Sequence, residues 1–242
     1  MNALSSTPRE AIILAGGLGT RLRSLVSDVP KPMALINDRP FLEILLDYWI
    51  VQGIKKFILS VGYKKEIIIN HFGSNYKGVA IKYAVESNLL GTGGALVNAI
   101  KRLEWTDDFI LINGDTYFEV DLQKLTEFHK IKCSILTFSL IIKNDINRYK
   151  PIYLDKTGRI IELKQSNETP LLVNGGVYII GNQVTRALLN FNKYKFSFEN
   201  DFVDNFIKNN QNIYGCSFNN KFVDIGTPLD YKNFKSNLLD NF

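Results

Sequence analysis

The residues of this 242-residue chain with the clearest chemical content form the run Gly16-Gly17-Leu18-Gly19-Thr20-Arg21-Leu22, followed across a short polar stretch by Pro30-Lys31-Pro32. Glycines reach backbone conformations closed to other residues, so successive N–H groups can turn inward and hold phosphate oxygens. Without side chains, such a loop also lets a nucleotide come close to the backbone. Arg21 offers a forked donor to phosphates, and Lys31, stiffened by a proline on each side, offers a point charge. The glycine spacing is not G-x-G-x-x-G, and G-x-x-x-x-G-K-[ST] occurs nowhere, which disfavours dehydrogenase and P-loop chemistry.

Two aspartates each end a short apolar run: Asp115 in ILINGDTYF and Asp224 in FVDIGTP. Open parallel sheets bind ligands beyond the carboxyl ends of their strands, so carboxylates there are placed for function. Mg2+ favours hard oxygen donors, commonly one or two carboxylates completed by water and substrate phosphates, and this pair suits it. A third segment, Glu86-Ser87-Asn88-Leu89-Leu90-Gly91-Thr92-Gly93-Gly94-Ala95, combines a strand end, a loop and a glycine-rich helix start. Backbone amides there can meet a base edge, a ribose or a phosphate; the competing account is a helix packed closely against the sheet through small residues. His71 and His129 are lone histidines in helical segments and receive no role.

These groups need elements to position them. Ala11 to Ala15 is an apolar run cut off by glycines, the pattern of a buried parallel strand. Phe41, Ile44, Leu45, Tyr48 and Trp49 fall at helical spacing before Gly53. A strand in KKFILSVGY, a helix over Lys64 to Phe72, a strand at VAIKYAVE, a helix over Gly94 to Leu103 and a strand at FILING continue the alternation. Strands alternating with helices predict a parallel sheet covered on both faces. After Asp121 a helix leads to the strand CSILTFSLII. PIYLDKTGRIIELK and PLLVNGGVYII, divided by the turn DKTG and by SNET, read as antiparallel strands added to that sheet. Helices near Gln183 to Phe191 and Glu199 to Asn209, a strand CSFNN, the short FVDIG and a helix from Pro228 complete the chain. No linker or repeat interrupts it, which predicts one continuous domain.

Composition sets limits on function. Hydrophobic residues are 45% and charged residues 22%, ordinary values for a folded globular chain. No apolar run approaches the roughly 18–20 residues needed to cross a bilayer. MNALSSTPRE lacks the basic and apolar regions of a signal peptide, which predicts a cytoplasmic protein. Cys133 and Cys216 lie in apolar-alternating segments and read as buried, reduced thiols. Lys and Arg number 29 against 24 Asp and Glu, a net charge of +5 spread along the whole chain. No basic stripe is interleaved with aromatics, so neither nucleic acid nor membrane is an expected partner. The 16 Phe and 11 Tyr can line a homo-oligomer interface or fill a core, and composition does not decide between them.

Taken together, LAGGLGTRL with VPKPM, LLGTGGAL, NGD, VNGGVYII and FVDIGTPLDY resemble the sugar nucleotidyltransferases, the nucleoside-diphosphate-sugar pyrophosphorylases, over almost the whole chain and in the family's order. The resemblance implies an α/β fold, a Rossmann-like mostly parallel sheet with helices on both faces and a small antiparallel sugar-binding sub-region. It implies a single domain over 1–242, with a nucleotide-binding half about 9–130 and a sugar-binding half about 131–242. The implied reaction joins a nucleoside triphosphate to a sugar 1-phosphate and releases pyrophosphate. In it Leu14, Ala15, Gly16, Gly17, Gly19, Thr20 and Arg21 would hold the triphosphate. Arg21, Lys31 and Asp115 would be catalytic, and Asp115 and Asp224 would bind Mg2+. Glu86, Gly91, Thr92, Asn113 and Gly114 would face base and ribose, while Asn174, Gly175, Gly176, Gln165 and Glu199 would line the sugar. A phosphate nucleophile is already ionised at neutral pH, so no general base is required.

One departure concerns the sugar. Where members of the family commonly carry a Glu-Lys pair before the NGG strand, this chain aligns Gln165-Ser166, with Glu162 and Lys164 slightly earlier. Either the hairpin is shifted in register, which reverses side-chain direction with each residue, or the sugar is held differently. Within the family, VPKPMALINDRPFLEILLDY, LSVGYKKEIIINHFG and FSFENDF most resemble bacterial enzymes that transfer guanylyl groups to D-glycero-α-D-manno-heptose 1-phosphate for surface polysaccharide, which makes GTP and that sugar the expected substrates. The rival readings are a mannose 1-phosphate guanylyltransferase, a CTP-, dTTP- or UTP-using enzyme, and a catalytically silent regulatory subunit that binds sugar nucleotides.

Overall fold

A computed structural model describes residues 7–22, 25–103, 108–145, 148–164 and 169–237, with only the backbone for Arg21 and residues 236–237. In chain order the strands are β1 (Glu10–Leu14), β2 (Leu35–Ile36), β3 (Arg39–Pro40), β4 (Lys56–Val61), β5 (Asn75–Tyr76), β6 (Val79–Val85), β7 (Phe109–Asn113), β8 (Thr116–Phe118), β9 (Leu136–Lys143), β10 (Ile152–Leu154), β11 (Ile160–Leu163), β12 (Leu171–Ile180), β13 (Ile213–Ser217) and β14 (Phe222–Asp224). The helices are α1 (Phe41–Val51), α2 (Lys65–Phe72), α3 (Gly91–Ile100), α4 (Leu122–Ile131), α5 (Asn182–Leu189), α6 (Asp204–Lys208) and α7 (Pro228–Asn237).

Eight strands form one sheet in the order β13-β9-β12-β7-β1-β4-β6-β5. β1 pairs in parallel with β4 and β7, β4 with β6, and β13 with β9, while β12 runs antiparallel to both β7 and β9. Successive strand residues point to opposite faces. Ala11 and Ile13 therefore join Phe41, Trp49 and Phe72 in one apolar layer, while Ile12 joins Leu96, Tyr178 and Phe198 in the other. Both faces are covered, as a doubly wound sheet requires. Among the described residues no helix is long and apolar enough to cross a membrane.

Several local expectations need correction. α3 begins at Gly91, three residues before the sequence-based start, because the chain already turns at Leu90. β9 begins at Leu136, not at Cys133, since α4 is closed by Cys133 and Ser134, whose N–H groups bond to the carbonyls of Lys130 and His129. Cys133 sits there with φ 47° and is exposed, so only Cys216 is the buried thiol that was expected. β13 spans Ile213–Ser217, ahead of the expected CSFNN. The hairpin of β10 and β11 is a separate two-stranded sheet, tied to its surroundings by bridges from Pro151 to Val173 and from Arg159 to Tyr214. Its turn is the expected DKTG, where Asp155 accepts from the N–H groups of Thr157 and Arg159. The segment expected as a helix from Glu199 opens as a π-helix, Phe198–Val203, before α6.

Candidate active site

The parallel register sets Leu14 level with Ser60 on one side and Asn113 on the other. The chain leaves β1 there through Ala15, whose N–H bonds to Ser60 O at 2.8 Å, and Gly114 N returns a bond to Leu14 O at 3.0 Å. The glycine loop thus opens between two strand ends, with Glu86 beside it. A methyl at Gly16 would meet the Glu86 carboxyl, so glycine lets that carboxyl lie directly against the loop. Around the loop lies a cavity of about 360 Å3.

Its walls hold nearly the whole expected nucleotide set: Leu14, Ala15, Gly16, Gly17, Gly19 and Thr20 from the loop, Glu86, Gly91 and Thr92 from the second segment, and Asn113 and Gly114 from the end of β7, with the expected catalytic Asp115 beside them. Lys31 and Gly226 complete it on the side of the carboxylates. The Arg21 backbone lies in a 3-10 turn, Thr20–Leu22, and its side chain is outside what the structure describes.

Lys31 begins a second 3-10 turn, Lys31–Met33, entered from Pro30. Its side chain is 10% exposed, and Nζ stands 2.6 Å from Asp115 Oδ2. β14 pairs with β8 so that Asp224 faces Thr116, and Ile225 N donates to Asp115 O at 3.0 Å. The two aspartates expected to share a metal are therefore held on adjacent chain segments. Asp224 Oδ1 accepts from Gly226 N at 2.6 Å, and Oδ2 is 2.7 Å from Arg148 Nη2. The other Arg148 nitrogen bonds to Asp230. These two carboxylates raise the Arg148 pKa against its desolvation, which keeps it a cation. Among the described residues no group of three or more His, Cys, Asp or Glu gathers as a metal cage. Asp115 lines the cavity, whereas Asp224 lines a neighbouring hollow with Lys143, Tyr149 and Asp230; both offer hard carboxylate oxygens, which suit Mg2+ better than a softer metal.

Glu86 is half-buried. Burial pushes its carboxyl pKa up, and bonds from Leu90 N (3.4 Å) and Ser60 Oγ (3.1 Å) pull the other way. The glycines that follow belong largely to the packing account, since Gly93 N donates to Phe196 O and Phe196 N to Leu90 O, each at 3.0 Å. α3 is pressed against the 194–198 segment as well as against the sheet.

The expected sugar residues stand beside the cavity, not in its wall. Asn174, Gly175 and Gly176 lie where β12 shifts register against β9, with Gly176 at φ 75° and backed by Asn113. Glu199 Oε1 accepts from Tyr178 at 2.8 Å, while Oε2 accepts from Thr92 at 3.3 Å and Ser197 at 3.4 Å. Gln165 lies outside the described residues. Glu162 and Lys164 are exposed and 3.8 Å from each other, away from the cavity wall. His71 pairs with Glu43 at 2.7 Å on the surface, and His129 is buried against Thr137 at 2.7 Å, so neither touches the cavity. Sequence reasoning missed Arg148 and Tyr178. Arg148 belongs to a loop without pattern, whereas the alternation of VNGGVYII puts Tyr178 on an inward face but says nothing of its hydroxyl partners.

The family model for nucleotidyl transferase matches residues 10–241. The D-glycero-alpha-D-manno-heptose 1-phosphate guanylyltransferase of Campylobacter jejuni is 40% identical over 94% of this chain and 99% of its own length. The protein of the same name from Aneurinibacillus thermoaerophilus is 41% identical over 95% and 98%. Among solved structures, HddC from Yersinia pseudotuberculosis superposes with a TM-score of 0.83 at 35% identity, covering 95% of this chain and 99% of that one. The same protein complexed with GMP-PN gives 0.82. The chain belongs to the nucleotidyl transferase family.

Proposed function

We propose that this protein transfers the guanylyl group of GTP to D-glycero-α-D-manno-heptose 1-phosphate, giving GDP-heptose and pyrophosphate for surface polysaccharide. The observation that carries the reading is one cavity walled by the glycine loop, the Glu86 carboxylate and the Lys31–Asp115 pair. Full-length relatives that carry the name of this activity, 40% and 41% identical, support the choice of substrates.

In this reading the backbone of Gly16–Thr20 and the Arg21 side chain receive the triphosphate. Glu86, an acceptor when ionised, suits the N1–H and N2–H donors of guanine. The Asn174–Gly176 bulge presents backbone groups to the sugar. An oxygen of the sugar phosphate forms a bond to the α-phosphorus in line with the α–β bridging oxygen, whose bond breaks as pyrophosphate leaves. Two anions must be brought together, so catalysis rests on alignment and on cancelling charge. Lys31 supplies a fixed cation at the reacting phosphates, and Asp115 holds that ammonium in place until they arrive. Asp115 and Asp224 would hold Mg2+, which when bound supplies further neutralisation of phosphate charge. Residues 9–130 then form the nucleotide half and residues 131–242 the sugar half of one domain, working in the cytoplasm where nucleoside triphosphates are made.

The test is pyrophosphate release, with Mg2+, over a grid of four nucleoside triphosphates and several sugar 1-phosphates that includes mannose and the heptose. Release confined to GTP with the heptose phosphate is expected. A different productive pair overturns the substrate assignment, and silence of folded protein across the grid overturns the enzyme reading.

A further inference from the structure

Between the nucleotide cavity and the sugar-side strand runs a line of polar side chains in which Tyr178 is buried among aromatic rings, Asn174 and Glu199 are half-buried and Thr92 is exposed. Thr92 lines the cavity. Its hydroxyl oxygen accepts from Phe198 N at 2.8 Å, so its single proton is directed to Glu199 Oε2 at 3.3 Å. Glu199 Oε1 accepts from the Tyr178 hydroxyl at 2.8 Å. The Tyr178 hydroxyl oxygen in turn accepts from Asn174 Nδ2 at 2.5 Å, which aims Asn174 Oδ1 at the N–H of Gly176, 2.9 Å away. The path therefore begins on a wall of the nucleotide cavity and ends on the backbone of the β12 bulge.

The donors and acceptors along this path follow from the groups themselves, and the Asn113 side chain, on the cavity wall, also bonds to the Tyr178 hydroxyl. A carboxylate only accepts. Tyr178 is fully buried, and burial beside Glu199 holds its phenol well above the usual range, so it stays a donor to Glu199. Asn174 must then present its amide nitrogen to Tyr178 and its oxygen to Gly176.

The arrangement is costly for a purely structural rivet. The Tyr178 ring packs edge-on against Phe138 at 4.8 Å and Phe198 at 5.6 Å, contacts that phenylalanine would make equally well. Burying the Tyr178 hydroxyl costs more than an apolar filling of the same shape unless it is hydrogen-bonded, as it is here to the half-buried Glu199. What the polar version adds is orientation of Asn174. Glu199 itself lies in the π-helix Phe198–Val203, a rare element that is frequently found at functional sites.

We propose that Thr92, Glu199 and Tyr178 form a hydrogen-bonded relay by which occupancy of the nucleotide cavity sets the Asn174–Gly176 segment for the sugar 1-phosphate, with Glu199 and Tyr178 as positioning residues. A nucleotide oxygen that competes for the Thr92 proton alters the donors on Glu199, and the change passes through the Tyr178 hydroxyl to the Asn174 amide. The inference rests on the nucleotidyltransfer reading above.

Tyr178→Phe deletes one oxygen and keeps the packed ring. The experiment uses the substrate pair that wild-type protein turns over fastest. Calorimetry measures sugar 1-phosphate affinity with and without a non-hydrolysable analogue of the nucleotide, alongside steady-state kinetics and Tm. In wild-type protein the analogue is expected to tighten sugar 1-phosphate on the order of tenfold. In Tyr178→Phe that factor falls toward one, the KM for sugar 1-phosphate rises on the order of tenfold, and the affinity for the analogue alone changes less than about twofold. Thr92→Ser, which keeps the donor, retains the coupling, and Thr92→Val loses it. Absence of coupling in wild-type protein, or full coupling in Tyr178→Phe, overturns the relay while leaving the reaction assigned. Wild-type protein inert toward every pair overturns the reaction and the relay together.

Discussion

Lys31 Nζ and Asp115 Oδ2 stand 2.6 Å apart, an ion pair between residues 84 positions apart in the chain. The two partners are unequally buried, with 10% of the Lys31 side chain exposed against 41% for Asp115. The ammonium is anchored inside the wall, and the carboxylate reaches the solvent side of the cavity. Lys31 is thus held in place by the protein itself, and a charge fixed in this way can act on a ligand without reorganisation.

Lys31→Met should lower kcat/KM by about 10²–10³, the usual cost of losing one preorganised electrostatic partner. Asp115→Asn should abolish turnover. Because Asp115 is so exposed, that variant should keep its circular dichroism spectrum and its Tm within a few degrees. Full activity of Asp115→Asn removes Asp115 from the reacting centre.

Glu86→Gln should cost roughly 10- to 100-fold in kcat/KM with GTP, since an amide offers guanine one acceptor and opposes its donors with another donor. The pH dependence has a definite sign. Burial raises the Glu86 pKa, so the charged acceptor is lost as pH falls through a value above the ordinary carboxylate range. The acid limb of kcat/KM should disappear in Glu86→Gln. A raised folded-state pKa favours the fold below the unfolded pKa, and that contribution is lost as pH rises through the folded value. Glu86→Gln should therefore melt higher than wild type near pH 7, with the gap closing toward pH 4. A lower Tm at neutral pH contradicts this account.

Gly91 combines φ 72° with a Cβ direction that points into the carbonyl of Phe196. Gly91→Ala should destabilise the fold by about 1–3 kcal/mol, as overpacking does, and lower Tm by roughly 2–4 °C for each of those kcal/mol. Because Gly91 also lines the cavity, the KM for nucleotide should rise with it. Differential scanning calorimetry with nucleotide titration checks both, and a variant of unchanged Tm refutes the packing role.

Arg148 bridges Asp224 and Asp230, so a divalent cation held by Asp224 would have to compete with it. Arg148→Gln should lower Tm by a few degrees at low ionic strength, as expected for a partly exposed pair worth up to about 1 kcal/mol. Mg2+ should then raise the Tm of the variant by more than it raises that of wild type. Equal shifts in both proteins would show that Asp224 is not the group Mg2+ meets.

How much of this was legible beforehand depends on the range of the interactions involved. The buried strands β1, β4 and β7, the glycine loop after β1 and the placing of Asp115 and Asp224 at strand ends follow from local patterns, because apolar runs, glycine and turn residues act over a few neighbours. The motifs in their order pointed to the reaction for the same reason. Element ends were less legible: Cys133 looked like the start of a strand and proved to be an exposed helix stop, since capping bonds are decided by the turn that forms. The pairings that determine chemistry could not be read at all. Lys31 with Asp115, Arg148 with Asp224 and Thr92 with Glu199 join residues far apart in the chain, and a hydrogen bond needs positions correct to a few tenths of an ångström. Sequence by itself determined which groups are present and which strand ends carry them. Only the tertiary structure decided which of them meet, because that depends on how the whole sheet twists and packs its loops into one place.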